Sequence, residues 1–319
     1  MTRHLADGEL RRVDLASESG GLPISLMAAI EAEGGLWGAG ESTTDATAIV
    51  EGARRVGAVA LRLDARDLSF LEALPGVRYL HLRSDGRPKL DAIAKLGDLR
   101  GLILETSALR GELDPLAFPN LRWLRVGLGG KGGARALPSI HRGHPRLEWL
   151  SVSEVRARSV AELVAGFPNL RQLSIHFAGA LRTLGDLAVA TPRLAVLRLQ
   201  LTGIATLDGL DANEQLEVLD VMGGRVSDLG PVGRSQRIRY ARLLTPGAST
   251  IEPLRGHPGL RMLELSLSGQ PSTVVLDTIQ GLVAVGRGAR FEGPIAQADL
   301  FELPRDNPLR VEWAEVMRR

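Results

Sequence analysis

One apolar spacing recurs along most of this 319-residue chain, and it limits what the chain can fold into more than any other feature. The pattern L-x-x-L-x-L, with aliphatic residues at positions one, four and six, is met at Val56/Val59/Leu61, Val77/Leu80/Leu82, Leu99/Leu102/Leu104, Leu121/Leu124/Val126 and Leu147/Leu150/Val152. It continues at Leu170/Leu173/Ile175, Leu194/Leu197/Leu199, Leu216/Leu219/Val221, Ile238/Ala241/Leu243 and Leu260/Leu263/Leu265, and a frayed copy starts at Leu282/Val285. The starts are 21, 22, 22, 26, 23, 24, 22, 22, 22 and 22 residues apart. A fixed period of this kind is the signature of stacked repeats. Each L-x-L makes a short strand whose alternate residues point the same way, and a single such unit cannot bury its own apolar row; stacking on its neighbours does.

With this period, segments such as Val226-Ser-Asp-Leu-Gly-Pro-Val232 and Thr250-Ile-Glu-Pro-Leu254 resemble the bacterial internalin-like 22-residue class of leucine-rich repeats. The resemblance spans roughly residues 56 to 282. It implies an α/β repeat solenoid, a horseshoe or superhelix with a concave parallel β-sheet and short helical turns or extended segments outside. One departure stands out. The family's turn asparagine, three residues after the last apolar position, is replaced by Asp64, Asp85, Ser107, Gly129, Val155, Ala178, Thr202, Gly224, Pro246 and Ser268. Buried water or altered turns must then satisfy the backbone there, and irregular curvature is expected around Val155 and Ala178.

A solenoid exposes its apolar rows at both ends unless they are capped. Residues 1–55 are read as an N-terminal capping segment with short helices at Ser25–Glu33 and Thr44–Arg55, 56–282 as repeats, and 283–319 as a C-terminal cap in which Leu309-Arg-Val-Glu-Trp313 alternates like a strand. Aromatic residues make up 4% of the chain, so its core is aliphatic, and with no cysteine neither disulfides nor thiolate metal sites are open to it. No apolar run reaches the roughly 20 residues of a membrane span, and the start lacks a signal-like stretch, so a cytoplasmic protein is expected. Only Lys89, Lys95 and Lys131 are lysines among 39 basic residues, a usage that points to a GC-rich bacterial genome.

The glycine cluster Gly127–Gly133, in a repeat with four extra residues, has two readings: a phosphate cradle with Lys131, or a rim insertion. Lys131 is followed by Gly, not Ser or Thr, which fails the phosphate-loop pattern and favours the insertion. His141 and His144 have the three-residue spacing of a metal pair, yet His144 and His257 fill the slot of Phe118 and Phe167, so they are read as turn packing and no metal or cofactor is expected.

The functional candidates lie on the other face of the strands. Position three carries Ala58, Tyr79, Gly101, Trp123, Trp149, Gln172, Val196, Val218, Tyr240 and Met262, and so four of the chain's six Tyr and Trp residues. Aromatic residues outside the leucine slots should project from the concave face, where they act as binding anchors or merely cover the sheet. Position five carries Ala60, His81, Ile103, Arg125, Ser151, Ser174, Arg198, Asp220, Arg242 and Glu264, whose last four alternate in charge and can form an exposed ladder. The expected binding set is Tyr79, His81, Trp123, Arg125, Trp149, Arg198, Asp220, Tyr240, Arg242 and Glu264, with a protein or peptide as partner. An alternative is a peptide-modifying enzyme or accessory protein using His81, Glu105 and His176 for proton transfer. Another is an immunity-type inhibitor of a toxin. The near-neutral charge of +2 and the acidic Glu105, Asp220 and Glu264 speak against nucleic acid.

Overall fold

The computed structural model describes residues 10–13, 22–39, 45–65, 67–84, 89–106, 116–128, 143–245, 247–266, 273–279, 283–286, 306–308, 311 and 315. Asp85, Ser107, Gly129 to Gly133, Pro246, Ser268, His141 and residues 1–9 lie outside these. The chain divides into two compact units, Met1–Ser153 and Glu154–Arg319.

In the first unit β1 (Arg11–Val13) runs antiparallel to β2 (Leu36–Gly38), which pairs in parallel with β3 (Ala60–Asp64). Parallel pairing then continues in chain order through β4 (Tyr79–Ser84), β5 (Gly101–Thr106), β6 (Trp123–Leu128) and β7 (Trp149–Ser153). Two helices precede the repeats, α1 (Ile24–Ala32) and α2 (Ala46–Val56), and α3 (Leu90–Ile93) follows β4. In the second unit β8 (Gln172–His176), β9 (Val196–Gln200), β10 (Val218–Met222), β11 (Tyr240–Leu244), β12 (Met262–Leu265) and β13 (Val283–Gly286) pair in parallel and in chain order. Their connections carry α4 (Val160–Val164), α5 (Leu187–Ala190), α6 (Gly230–Arg234) and α7 (Thr273–Leu276), with 3-10 turns at Leu210–Ala212 and Glu252–Leu254.

The leucine rows form the core. From Val77 to Leu265 the residues at positions one, four and six are all 3% exposed or less. At about 1.5–3 kcal/mol for each large aliphatic side chain removed from water, these rows are the main favourable term in folding.

At both ends of the series the register differs from the sequence reading. Leu61 pairs with Leu80 and Leu63 with Leu82, so the first strand's core positions are Leu61 and Leu63, not Val59 and Leu61. Val56 is instead the last residue of α2. The inner positions three and five therefore belong to Ala60 and Arg62, not Ala58 and Ala60. The last copy is displaced by one residue: Ala284 pairs with Leu263, while Val285 pairs with Glu264 and joins position five. A shift of one exchanges the two faces of a strand. The alternating segment near the C-terminus is not extended at Val311, which is helical and donates its amide to the Asn307 carbonyl at 3.0 Å.

The missing asparagine is replaced by altered turns. Glu154, Phe177, Leu201 and Gly223, each two residues after the last apolar position of their repeat, have φ of 58°, 53°, 52° and 74°. Their amides donate to the strand-end carbonyls of the next coil, to His176 (2.9 Å), Gln200 (2.9 Å), Met222 (2.7 Å) and Leu244 (2.8 Å). Backbone thus satisfies backbone where a side chain would otherwise be needed.

Candidate functional site

The inner face of each sheet, carrying positions three, five and seven, holds the candidates. In the first unit position three is covered from within. α1 lies across it, and Leu22, Leu26 and Ile30 pack with Ala60, Tyr79, Ile103, Trp123 and Trp149 in one apolar cluster. Tyr79, Trp123 and Trp149 are therefore buried, which corrects the expectation that they project toward solvent. The Trp123 indole N–H donates to Ser25 Oγ at 3.2 Å, and the Tyr79 and Trp123 ring centroids are 6.1 Å apart. Gly101 lets the helix approach: a Cβ there would lie 2.9 Å from Tyr79 Cδ1 and 3.1 Å from Leu26 Cδ1. Beyond the end of α1, Glu33 accepts from Arg78 Nη1 (2.7 Å), Arg100 Nη1 (3.3 Å) and the Tyr79 hydroxyl (3.2 Å). Burial and the Glu33 carboxylate together push the Tyr79 hydroxyl above its ordinary pKa.

The structure brings His81 and Glu105 together. His81 Nε2 lies 3.6 Å from Glu105 Oε1, and Arg83 Nε is 3.5 Å from the other carboxylate oxygen. The contact with His81, helped by the charges of Arg125 and Arg83, outweighs burial and holds Glu105 below the usual carboxylate range. His81 is buried and Arg125 half-buried. His176 belongs to the other unit, and there its Nδ1 lies 3.1 Å from Gln200 Oε1.

In the second unit the charged column is built as its register predicts, with Asp220 between Arg198 and Arg242, and Glu264 beyond. It is not an exposed ladder. Asp220 is 0% exposed and Glu264 buried, and so are the position-three residues Val196, Val218, Tyr240 and Met262 on the same face. Arg242 donates to Asp220 through Nε at 2.9 Å and through a second contact from Nη2. Gln200 Nε2 adds a third donor at 3.3 Å, so a hydrogen-bonded chain runs His176, Gln200, Asp220, Arg242 across β8 to β11. Burial pushes the Arg198 guanidinium down to about 10, although Asp220 works the other way. For Arg242 burial acts in the same sense but is outweighed by the hydrogen bond and charge of Asp220, and its pKa is raised.

Several accessible residues at the ends of these strands, His176 apart, are not singled out by the sequence pattern. Position seven presents the half-buried His176, Gln200, Met222 and Leu244. Beside them Phe177 and Leu201 are 61% and 52% exposed at the two left-handed turns that end β8 and β9. A bulky residue in that conformation is unfavourable, and the equivalent turn of the next coil has glycine, Gly223. The available signal was the apolar residue standing just before the missing asparagine, in Phe177-Ala178 and Leu201-Thr202.

His144 and His257 occupy turns, both buried, and His257 Nδ1 accepts from the amides of Gly259 (3.1 Å) and Leu260 (3.0 Å). No helix among the described residues is long and apolar enough to cross a membrane.

No family model matches the chain, and no curated protein matches it. Among solved structures, the functional domain of InlJ from Listeria monocytogenes is similar over 78% of this chain and 52% of its own length, at 18% identity and a TM-score of 0.51. This chain therefore corresponds to about half of that domain. The internalin InlF from L. monocytogenes str. 4b F2365 aligns over 81% of this chain and 87% of its own, at 16% identity and a TM-score of 0.47. The fold is that of an internalin-like leucine-rich-repeat protein.

Proposed function

We propose that the chain is a non-enzymatic protein- or peptide-binding scaffold that takes its partner on the inner, concave face of the second unit, along the C-terminal edge of its strands. The observation that carries this is the pair Phe177 and Leu201, large, apolar, exposed and held in the left-handed region on consecutive coils. Strain of this kind persists where surrounding structure imposes it and concentrates at binding sites. Since the next coil closes the same turn with Gly223, folding does not require those side chains. Beside them, His176 and Gln200 supply polar groups fixed by the chain to Asp220 and Arg242, and Met222 and Leu244 extend the apolar strip. Apolar anchors next to oriented polar groups suit a protein segment. A cytoplasmic site of action belongs to the same proposal.

The test compares capture by the full chain and by a Phe177→Ser/Leu201→Ser variant, with bound proteins quantified by mass spectrometry. A protein retained by the parent and lost from the variant supports this surface. Equal recovery removes it.

A further inference from the structure

The left-handed turn that carries Phe177 and Leu201 is built three times in succession without glycine. Glu154, Phe177 and Leu201 end consecutive coils with φ of 58°, 53° and 52°, and the fourth coil has Gly223 at 74°. Glycine takes this conformation without clash, and Asn and Asp are the other residues that tolerate it best. Each turn is closed in the same way: the amides of Glu154, Phe177, Leu201 and Gly223 donate to the carbonyls of His176, Gln200, Met222 and Leu244 on the coil that follows. The backbone therefore repeats while the side chain changes, and the four residues stand in one row, about 4.8 Å from coil to coil.

The row has a polarity. Glu154, the first residue of the second unit, sets a half-buried carboxylate at one end. Phe177 and Leu201 follow, both largely exposed, and Met222 and Leu244 carry the apolar strip onward beside them. Among the described residues no basic side chain pairs with Glu154; Arg156, two residues on and exposed, does not turn back to it. An acid next to two exposed apolar anchors, with no cation of its own, is complementary to a cation next to apolar groups. From Glu154 to Leu201 is two coils, about 10 Å, which three residues of extended chain span.

We infer that the segment taken along this row carries a lysine or arginine against Glu154, with large apolar residues following within a few positions against Phe177 and Leu201. The inference rests on the protein-binding reading above and adds the partner's charge. Phe177 and Leu201 hold the segment, and Glu154 selects it: a partner with an acidic residue at that place meets a like charge and is rejected.

The probe is a library of random dodecamer peptides displayed on phage, selected on the immobilised full chain, on Glu154→Lys and on Phe177→Ser/Leu201→Ser. Peptides from the parent should carry Lys or Arg within four residues of a large apolar residue. Those from Glu154→Lys should carry Asp or Glu there instead, and the double variant should retain neither set. A synthetic peptide of the parent set should bind Glu154→Lys at least about ten-fold more weakly than the parent. Exchanging its basic residue for Glu should reverse that order. Peptides that need Phe177 and Leu201 but show no preference for a basic residue, or bind parent and Glu154→Lys equally, overturn the inference and leave the surface standing. Peptides indifferent to Phe177 and Leu201, or no enrichment on the parent, remove both. If Glu154→Lys does not fold, Glu154→Gln decides, since it removes the charge and keeps the size. Weaker binding of the basic peptide to it supports the inference, and unchanged binding overturns it.

Discussion

Trp123 donates its indole N–H to Ser25 at 3.2 Å, across 98 residues of sequence, and this contact fixes which part of the first unit's inner face is closed. It seats α1 on the aromatic column, which is buried, whereas Phe177 and Leu201 are exposed.

The close approach of α1 depends on a missing side chain. Gly101→Ala places a methyl group within 2.9 Å of Tyr79 and 3.1 Å of Leu26 and should destabilise the chain by about 1–3 kcal/mol in urea unfolding. Gly97→Ala, with nothing within 4 Å of the new Cβ, is the control and should be neutral or slightly stabilising.

The buried pair in the second unit should be costly to break on one side. Asp220→Ala leaves the Arg242 guanidinium without its carboxylate and is expected to lower stability by about 3–5 kcal/mol. Replacing Asp220 and Arg242 together by leucine should recover a large part of that loss. If the double variant is as unstable as the single, the charge pair is not the source of the effect.

Turn strain predicts an inverted mutational sign. Phe177→Gly and Leu201→Gly remove large side chains, yet each should raise stability by up to about 1 kcal/mol, because glycine adopts φ of 53° or 52° without clash. Thermal unfolding checks this; a loss above about 1 kcal/mol would mean the side chains pack for stability.

His257 supplies a pH dependence. Burial holds its pKa below the ordinary 6.5, outweighing the neighbouring backbone contacts, so the folded state takes up a proton less readily than the unfolded one. Its contribution is complete above the unfolded pKa and is lost as pH falls through 6.5 toward the folded value. His257→Phe, which copies Phe118 and Phe167 in the same slot, should flatten this acid-side slope in melts across that window.

The leucine rows are legible in the sequence because their spacing is local and every member is buried for the same reason. The first strand is ambiguous there because Val56/Val59/Leu61 has the same spacing as Ala58/Leu61/Leu63, and only the pairing with β4 separates them. The inner face is correctly assigned for Tyr79, Trp123 and Trp149, but their cover comes from a helix far away in sequence. The charge column is readable from register; its burial is not, since register fixes which face a side chain takes and not how far that face is exposed. Phe177 and Leu201 are marked only by standing before the missing asparagine, because neither residue type points to a left-handed turn.

The most direct test of the binding surface places a photo-crosslinking amino acid, one position at a time, at Phe177, Leu201 and Val189, the last 76% exposed on α5. Irradiation in an extract of the source cell should give one common protein adduct at positions 177 and 201 and none at 189. Absence of an adduct at 177 and 201, or the same adduct at all three positions, would contradict a partner held along that edge.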